Sequence, residues 1–287
     1  MERIHKILAR AGVASRRAVE KMILEGRITV NGQPAHIGQA VDPLRDDIRI
    51  DGRRPQAPPP AVWVLLHKPP GVVVSDRPQG RRKTVRQLVP LPGRLFPVGR
   101  LDVGSEGLVV LTNDGESAER LSHPRYEHEK EYRVLLDRPP EDDRLDVWRR
   151  GVVLADGHRT RPAIVRREPG GRSQRWIRLV LREGHKRQIR ESARALGLRV
   201  ERLVRIRVGP FHLGTLRPGE WRLATDSETA RLGLADAARA RRASAADRRG
   251  KRPACPKSSA RRPAGLGLRS SPGGWSAPDG RRRKERR

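Results

Sequence analysis

Asp102 stands in Gly99-Arg-Leu-Asp-Val-Gly-Ser-Glu-Gly107, a glycine-punctuated loop that runs straight into the apolar stretch Leu108-Val-Val-Leu111. A carboxylate so placed is a candidate nucleophile. Gly99, Gly104 and Gly107 allow backbone angles and close approaches that other residues resist, so a large planar group can lie against the loop. The same residues also fit an Asp in a tight turn before a hairpin, with Asn113-Asp114-Gly115 as a second turn signal. Two other pieces carry chemistry. Lys130-Glu-Tyr132 puts an aromatic ring at the start of a strand in a chain with only two Tyr and two Phe. Glu183-Gly-His-Lys-Arg-Gln-Ile-Arg190 is a basic cluster entering a helix. Taken singly, Tyr132 reads equally as core and the cluster as a solvated helix surface.

The elements that must position these groups are mostly strands. Val62–Leu66 is followed by Lys68-Pro-Pro-Gly71 and Val72-Val-Val74, which reads as two tightly joined strands. A helix is expected around Glu116–Leu121. Strands are expected at Tyr132–Leu136, Val152–Leu154, Arg161–Arg166, Trp176–Leu181 and Val200–Val208. Ile189, Ala193 and Leu196 mark a helix face, and Thr225 with Glu228 form a capping box for a last helix. Few regular βαβ spacings appear, so the fold class is α+β with a mixed, largely antiparallel sheet.

Four prolines in Arg53-Arg-Pro-Gln-Ala-Pro-Pro-Pro60 set off an N-terminal unit, residues 1–53, from a domain over 61–238, with 54–60 as a stiff linker. In that unit Ile4, Ile7, Leu8 and Ala11 give one helix stripe. Ser15 caps a second helix bearing Val19, Met22 and Ile23, which Gly26 ends. Strand-like Ile28-Thr-Val30 turns at Asn31-Gly32. Arg3, Lys6, Arg10, Arg16, Arg17, Lys21 and Arg27 surround the helices and can present positive charge to phosphates.

Charge bounds the partner. Lys and Arg outnumber Asp and Glu by 63 to 33, a net charge of +30, which favours a polyanion and nucleic acid first. No apolar run approaches the roughly 20 residues that cross a bilayer. The N-terminus lacks a long apolar signal, so a cytoplasmic protein with no membrane partner is expected. The single Cys255 and eight scattered His offer no disulfide framework and no metal-ligand spacing. The last 49 positions carry 17 Lys and Arg against three acidic residues, with too few large apolar side chains to offset ordering entropy. A disordered basic tail over 239–287 is the expectation.

Ala11-Gly-Val-Ala-Ser-Arg-Arg17 and Gly26-Arg-Ile-Thr-Val-Asn-Gly32 resemble the αL-type RNA-binding domain shared by a ribosomal small-subunit protein and several RNA-modifying enzymes. The resemblance implies RNA contacts by Arg3, Lys6, Arg10, Ser15, Arg16, Arg17, Arg27 and Asn31. Gly99-Arg-Leu-Asp102 with Ser105-Glu-Gly107 and Thr112-Asn-Asp-Gly115, in order with Tyr132 and the basic cluster, resembles the pseudouridine synthases. The match is to the branch that acts on ribosomal RNA with an αL-type domain in front, and it covers roughly residues 1 to 225. It implies isomerisation of uridine in ribosomal RNA or a ribosomal precursor particle, with large-subunit RNA suggested by the basic tail, and no cofactor. Asp102 is the implied nucleophile on a flipped-out uridine, and Tyr132 stacks on the uracil.

A nucleophile that stays ionised in a closed pocket needs a cation beside it. Arg187 and Arg190, three positions apart, are candidates by permanent charge, and His185 by alignment. Arg100 is expected to bind phosphate or fill the gap left by the base, and Leu203 either packs beneath the base or serves the core alone. The chain departs from the family at His185, where Arg or Lys is commoner, and at Glu191-Ser192, where Arg-Met is. A noncatalytic RNA-binding assembly factor is the alternative function, a monomer is the expected oligomeric state, and the sequence does not name the target uridine.

Overall fold

A computed structural model describes residues 1–75, 80–169 and 174–233. The tail expected over 239–287 therefore lies outside the described residues.

The N-terminal unit has its own core. Its elements are β1 (Glu2–Arg3), α1 (Ile4–Arg10), α2 (Arg16–Leu24), β2 (Ile28–Val30), β3 (Gln33–Pro34), β4 (Ala40–Val41) and β5 (Ile48–Ile50). The two helices bury Ile4, Ile7, Leu8, Val19 and Ile23 against Ile28, Val41 and Ile48. Ser15 caps α2 by accepting from the Ala18 amide at 3.1 Å. Asn31 and Gly32 take φ of 52° and 80°, the left-handed pair that matches the twist of the β2–β3 hairpin.

The second unit is built on β6 (Trp63–Lys68), β7 (Phe96–Val98), β8 (Glu106–Thr112), α3 (Gly115–Ser122), β9 (Lys130–Leu136), α4 (Asp142–Arg150), β10 (Ile164–Arg167), β11 (Trp176–Leu181), α5 (Gln188–Ala195), β12 (Val200–Val208), β13 (Phe211–His212) and β14 (Trp221–Leu223). The sheet runs β10-β11-β9-β12-β8-β6-β14, with β13 on β12 and β7 on β8. Every pairing in it is antiparallel except β12 with β8, where Val204 faces Glu106 and Arg205 faces Gly107. The mixed, largely antiparallel sheet with flanking helices agrees with the expected fold class. Beneath β9, β11 and β12, Tyr132, Val134, Leu136, Ile177 and Leu179 pack on Leu145 and Trp148 of α4 and on Ile189 and Ala193 of α5. Strands β6 and β8 are buried on both faces, which is why each reads as a continuous apolar run rather than an alternating one.

Four local expectations are corrected. Val72-Val-Val74 does not return along β6; Val73 forms a single bridge with Thr84, because the sheet places already go to β8 and β14. Val72 and Val74 instead cover Val64, Leu66, Val109 and Leu111. Asn113-Asp114-Gly115 is no hairpin turn. Asp114 Oδ1 accepts from the amides of Glu116 and Ser117 and starts α3, while Asn113 holds Pro60 and Val62. Val152–Leu154 forms no strand but a short loop closed by the Val153–Arg159 bridge, and the strand expected at Arg161–Arg166 begins at Ile164.

The capping box is present. Thr225 N–H donates to Glu228 Oε2 at 2.9 Å and Glu228 N–H to Thr225 Oγ1 at 3.3 Å, opening a helix over 226–233. Arg222 grips the same carboxylate at 2.7 and 2.8 Å. These bonds, Arg222 foremost, hold the Glu228 pKa down at about 2 from 4.5. A depressed carboxyl pKa stabilises the fold above about 4.5 and ceases to do so as pH falls through about 2. Glu228→Gln should therefore cost about 1–2 kcal/mol at pH 7 after allowance for the partly exposed Arg222. That deficit should shrink steadily as pH falls from about 4.5 to about 2, as urea unfolding of both proteins at each pH would measure.

Among the described residues no helix is long and apolar enough to cross a membrane.

Candidate active site

The Asp102 loop closes one side of a cavity of about 480 Å³. Because side chains alternate along a strand, Lys130 and Tyr132 of β9 share one face of the sheet with Leu203 and Arg205 of β12, and all four line the cavity. The segment 183–190 lines the same cavity, so the three pieces read from the sequence converge on one site.

The loop backbone is held while its carboxylate is left open. Asp102 O accepts from Ser105 N at 3.1 Å, and Val103 O accepts from Gly71 N at 2.8 Å. Val103 O also accepts from Lys68 Nζ at 3.2 Å, and Pro69 O from the same ammonium at 2.9 Å. Among the described residues nothing donates a hydrogen bond to the half-buried Asp102 side chain. Lys68 is fully buried at the end of β6. Burial lowers its pKa to about 8, against the opposing pull of Glu106 and Asp102 and with a further push from Arg205.

Of the basic cluster, Arg190 is the member whose pKa Asp102 raises. Its guanidinium is partly buried on α5, donates to Val200 O at 3.0 Å, and is pushed down by burial and by Arg187 while Asp102 pulls it up. Arg187 starts α5 with φ 55° and its guanidinium lies 3.8 Å from Glu191. His185 Nε2 lies 2.8 Å from Asp156 Oδ2, and its ring stacks on His158 with centroids 4.6 Å apart. The structure thus sets His185 on Asp156 rather than Asp102. Leu203 is buried and Arg100 exposed, and both line the cavity.

The residues singled out for RNA are divided. Lys6, Arg10, Arg16 and Arg17 line a groove of about 1340 Å³ between the N-terminal helices and α3. Arg94 spans the two units there by donating to Ala14 O at 2.7 Å. Val98 and Ser122 belong to both groove and cavity, so the two are contiguous. Ser15 also lines the groove, with its hydroxyl oxygen engaged as a cap. Asn31 is turned to local structure, donating to Asp46 and accepting from the Asp47 amide. Arg27 forms a two-point pair with Asp51 at 3.0 and 2.7 Å, and Arg3 precedes α1 outside the groove.

Sequence reasoning missed Lys68, Arg205 and the buried Glu106, which pairs with Arg202. The available signal was weak: a Lys closing a mostly apolar strand, and one of three Arg in β12. Among the described residues no three His, Cys, Asp or Glu side chains converge as a metal centre requires.

The RNA pseudouridylate synthase family pattern matches residues 62–195, and the S4 domain pattern matches residues 2–43. An uncharacterized RNA pseudouridine synthase of Aquifex aeolicus is 40% identical over 233 residues, covering 80% of this chain and 93% of that protein. The chain belongs to the RNA pseudouridine synthase family. A ribosomal large subunit pseudouridine synthase B of Bacillus subtilis is 37% identical over 241 residues, spanning 82% of this chain and 98% of the relative. A solved pseudouridylate synthase superposes with a TM-score of 0.59 at 29% identity, over 81% of this chain and all of that one. Family membership makes the chain an RNA pseudouridine synthase with an S4 RNA-binding domain, and the noncatalytic assembly factor is set aside.

Proposed function

We propose that this synthase isomerises one uridine of large-subunit ribosomal RNA, with Asp102 as the nucleophile. The observation that carries the reading is the Asp102 carboxylate, without a hydrogen-bond donor among the described residues, in a cavity it lines together with Arg190, Tyr132 and Leu203 and that is continuous with a basic groove. Relatives named ribosomal large subunit pseudouridine synthase B, in Bacillus subtilis and Pseudomonas aeruginosa, support the choice of RNA.

The reaction breaks the bond from ribose C1′ to uracil N1, turns the base and joins C5 to C1′. The C5 proton leaves and N1 gains one, so atoms and electrons balance without a cofactor. Asp102 acts at the anomeric carbon, at the electrophilic ring carbon, or by removing a ribose proton. Arg190, whose charge Asp102 favours, is the cation of the site. Tyr132 stacks on the extruded uracil and Leu203 packs beneath it. Arg100, exposed beside the nucleophile, binds a phosphate or fills the vacated stack. Flipping the base costs a few kcal/mol, which phosphate contacts by Lys6, Arg10, Arg16 and Arg17 along the groove offset. We place the protein in the cytoplasm, acting on ribosomal RNA or its precursor particle as a monomer.

Mapping pseudouridine in ribosomal RNA from cells with and without this protein tests the proposal. One large-subunit position should lose the modification, and it should return with the wild-type chain. Identical maps, or a loss in other RNA, would refute the choice of substrate.

A further inference from the structure

Arg205 is the least expected residue of the site. It sits on β12, 103 positions after Asp102, and is 3% exposed. Its Nε donates to Leu108 O at 2.8 Å and its Nη1 to Arg100 O at 3.2 Å. One planar guanidinium therefore ties the residue two before Asp102 to the residue six after it. Its own backbone lies flat against the loop as well, since a Cβ on Gly107 would fall 2.3 Å from Arg205 O. Nη2 is buried without a partner, and no carboxylate lies within ion-pair distance among the described residues. The buried Lys68 and the half-buried Lys130 feel its charge, because Arg205 helps lower the pKa of both.

Such an arrangement is poor value for stability. A buried cation without a counter-ion costs desolvation that two carbonyls only partly return, and an apolar side chain of similar size often serves the fold as well. What an apolar side chain cannot do is hold two carbonyls eight residues apart at a fixed spacing. Arg is suited to that, because its donors are set in a rigid fork.

We propose that Arg205 is a positioning residue that fixes the span from Arg100 to Leu108 and thereby sets where the Asp102 carboxylate meets the ribose or uracil. The inference rests on the reading of Asp102 as nucleophile. Lys68 holds the middle of the same span at Val103, but only Arg205 binds both ends. A misplacement of about 1 Å in a reacting group can cost about 10²-fold in rate. The effect belongs in turnover and not in RNA affinity, since Arg205 is buried beneath the loop.

The test uses the full chain and a ribosomal RNA fragment carrying the target uridine, with single-turnover rates at saturating RNA and Kd measured separately. Arg205→Met should lower the rate about 10²-fold, and Arg205→Lys about 10-fold because an ammonium lacks the separate Nε and Nη1 donors that meet Leu108 O and Arg100 O, both with Kd within about twofold of wild type. Thermal unfolding should stay within a few degrees for Arg205→Lys, which keeps the charge. Arg207→Met is the control on the same strand. It loses the pairs with Glu129 and Glu131 at 3.0 and 3.1 Å and should unfold earlier while turning over normally. A wild-type rate in folded Arg205→Lys and Arg205→Met, or a loss confined to Kd, would overturn the proposal. Asp102→Asn, run alongside, separates the two levels: activity there sinks the nucleophile reading, whereas an inactive Asp102→Asn with an unimpaired Arg205→Met sinks this inference alone.

Discussion

Asp102→Asn should abolish pseudouridine formation, lowering the single-turnover rate by about 10⁴-fold or more, the scale reached when a covalent nucleophile is removed. The substitution is nearly isosteric, and among the described residues the carboxylate accepts no hydrogen bond, so the loop has nothing to lose structurally. Its backbone anchors at Arg100, Asp102, Val103 and Leu108 all persist. RNA affinity should be unchanged within about twofold, because affinity comes mainly from phosphate contacts. Release of tritium from RNA labelled at uracil C5 reports the reaction directly, since that proton must leave when C5 bonds to the ribose. A variant that still released tritium near the wild-type rate would remove Asp102 from the chemistry on any of the three routes.

Gly107→Ala should severely destabilise the fold. Gly107 has φ +109°, and a methyl group there would sit 2.3 Å from Arg205 O and 2.5 Å from Arg205 N. Neither atom can yield, because this is where β8 and β12 make their parallel pairing. Backbone strain and the clash together predict a loss of about 3–5 kcal/mol, or a fall of roughly 6–20 °C in Tm for a domain of this size. Turnover should fall further than stability alone explains, since Asp102 lies five residues away on the same loop. Gly104→Ala supplies the contrast. Its added carbon meets nothing within 4 Å and its backbone is not in the left-handed region, so it should change stability by no more than about 0.5 kcal/mol. Equal unfolding curves for Gly107→Ala and wild type would show that the two strands can separate at this point.

Much of the molecule was legible because its signals are local. Ser15 before α2, Asn31-Gly32 at the hairpin and Thr225 with Glu228 each specify a turn or cap within a few residues, and each forms as read. Local reading failed where a signal had two uses. Asn113-Asp114-Gly115 has the composition of a hairpin turn, yet Asp114 finds two helix amides to cap. Val72-Val-Val74 has strand composition, yet the neighbouring places on β6 are taken by β8 and β14.

The same division runs through the site. Asp102, Tyr132 and the segment ending at Arg190 were recognisable by residue type and order, because each lies in a short motif that carries its own chemistry. The cationic partner was not, since Arg187, Arg190 and His185 differ only in where the first turn of α5 and the Asp156 loop aim them. The structure places His185 on Asp156 and Arg190 within reach of Asp102's field.

The sequence by itself determined the nucleophile candidate, the RNA-binding unit and the α+β class. Only the tertiary structure brought Lys68 and Arg205 beneath the loop, because their contacts come from sheet order. β6 and β12 are both neighbours of β8, and no pattern along the chain encodes which strands will stand on either side of the one that follows Asp102.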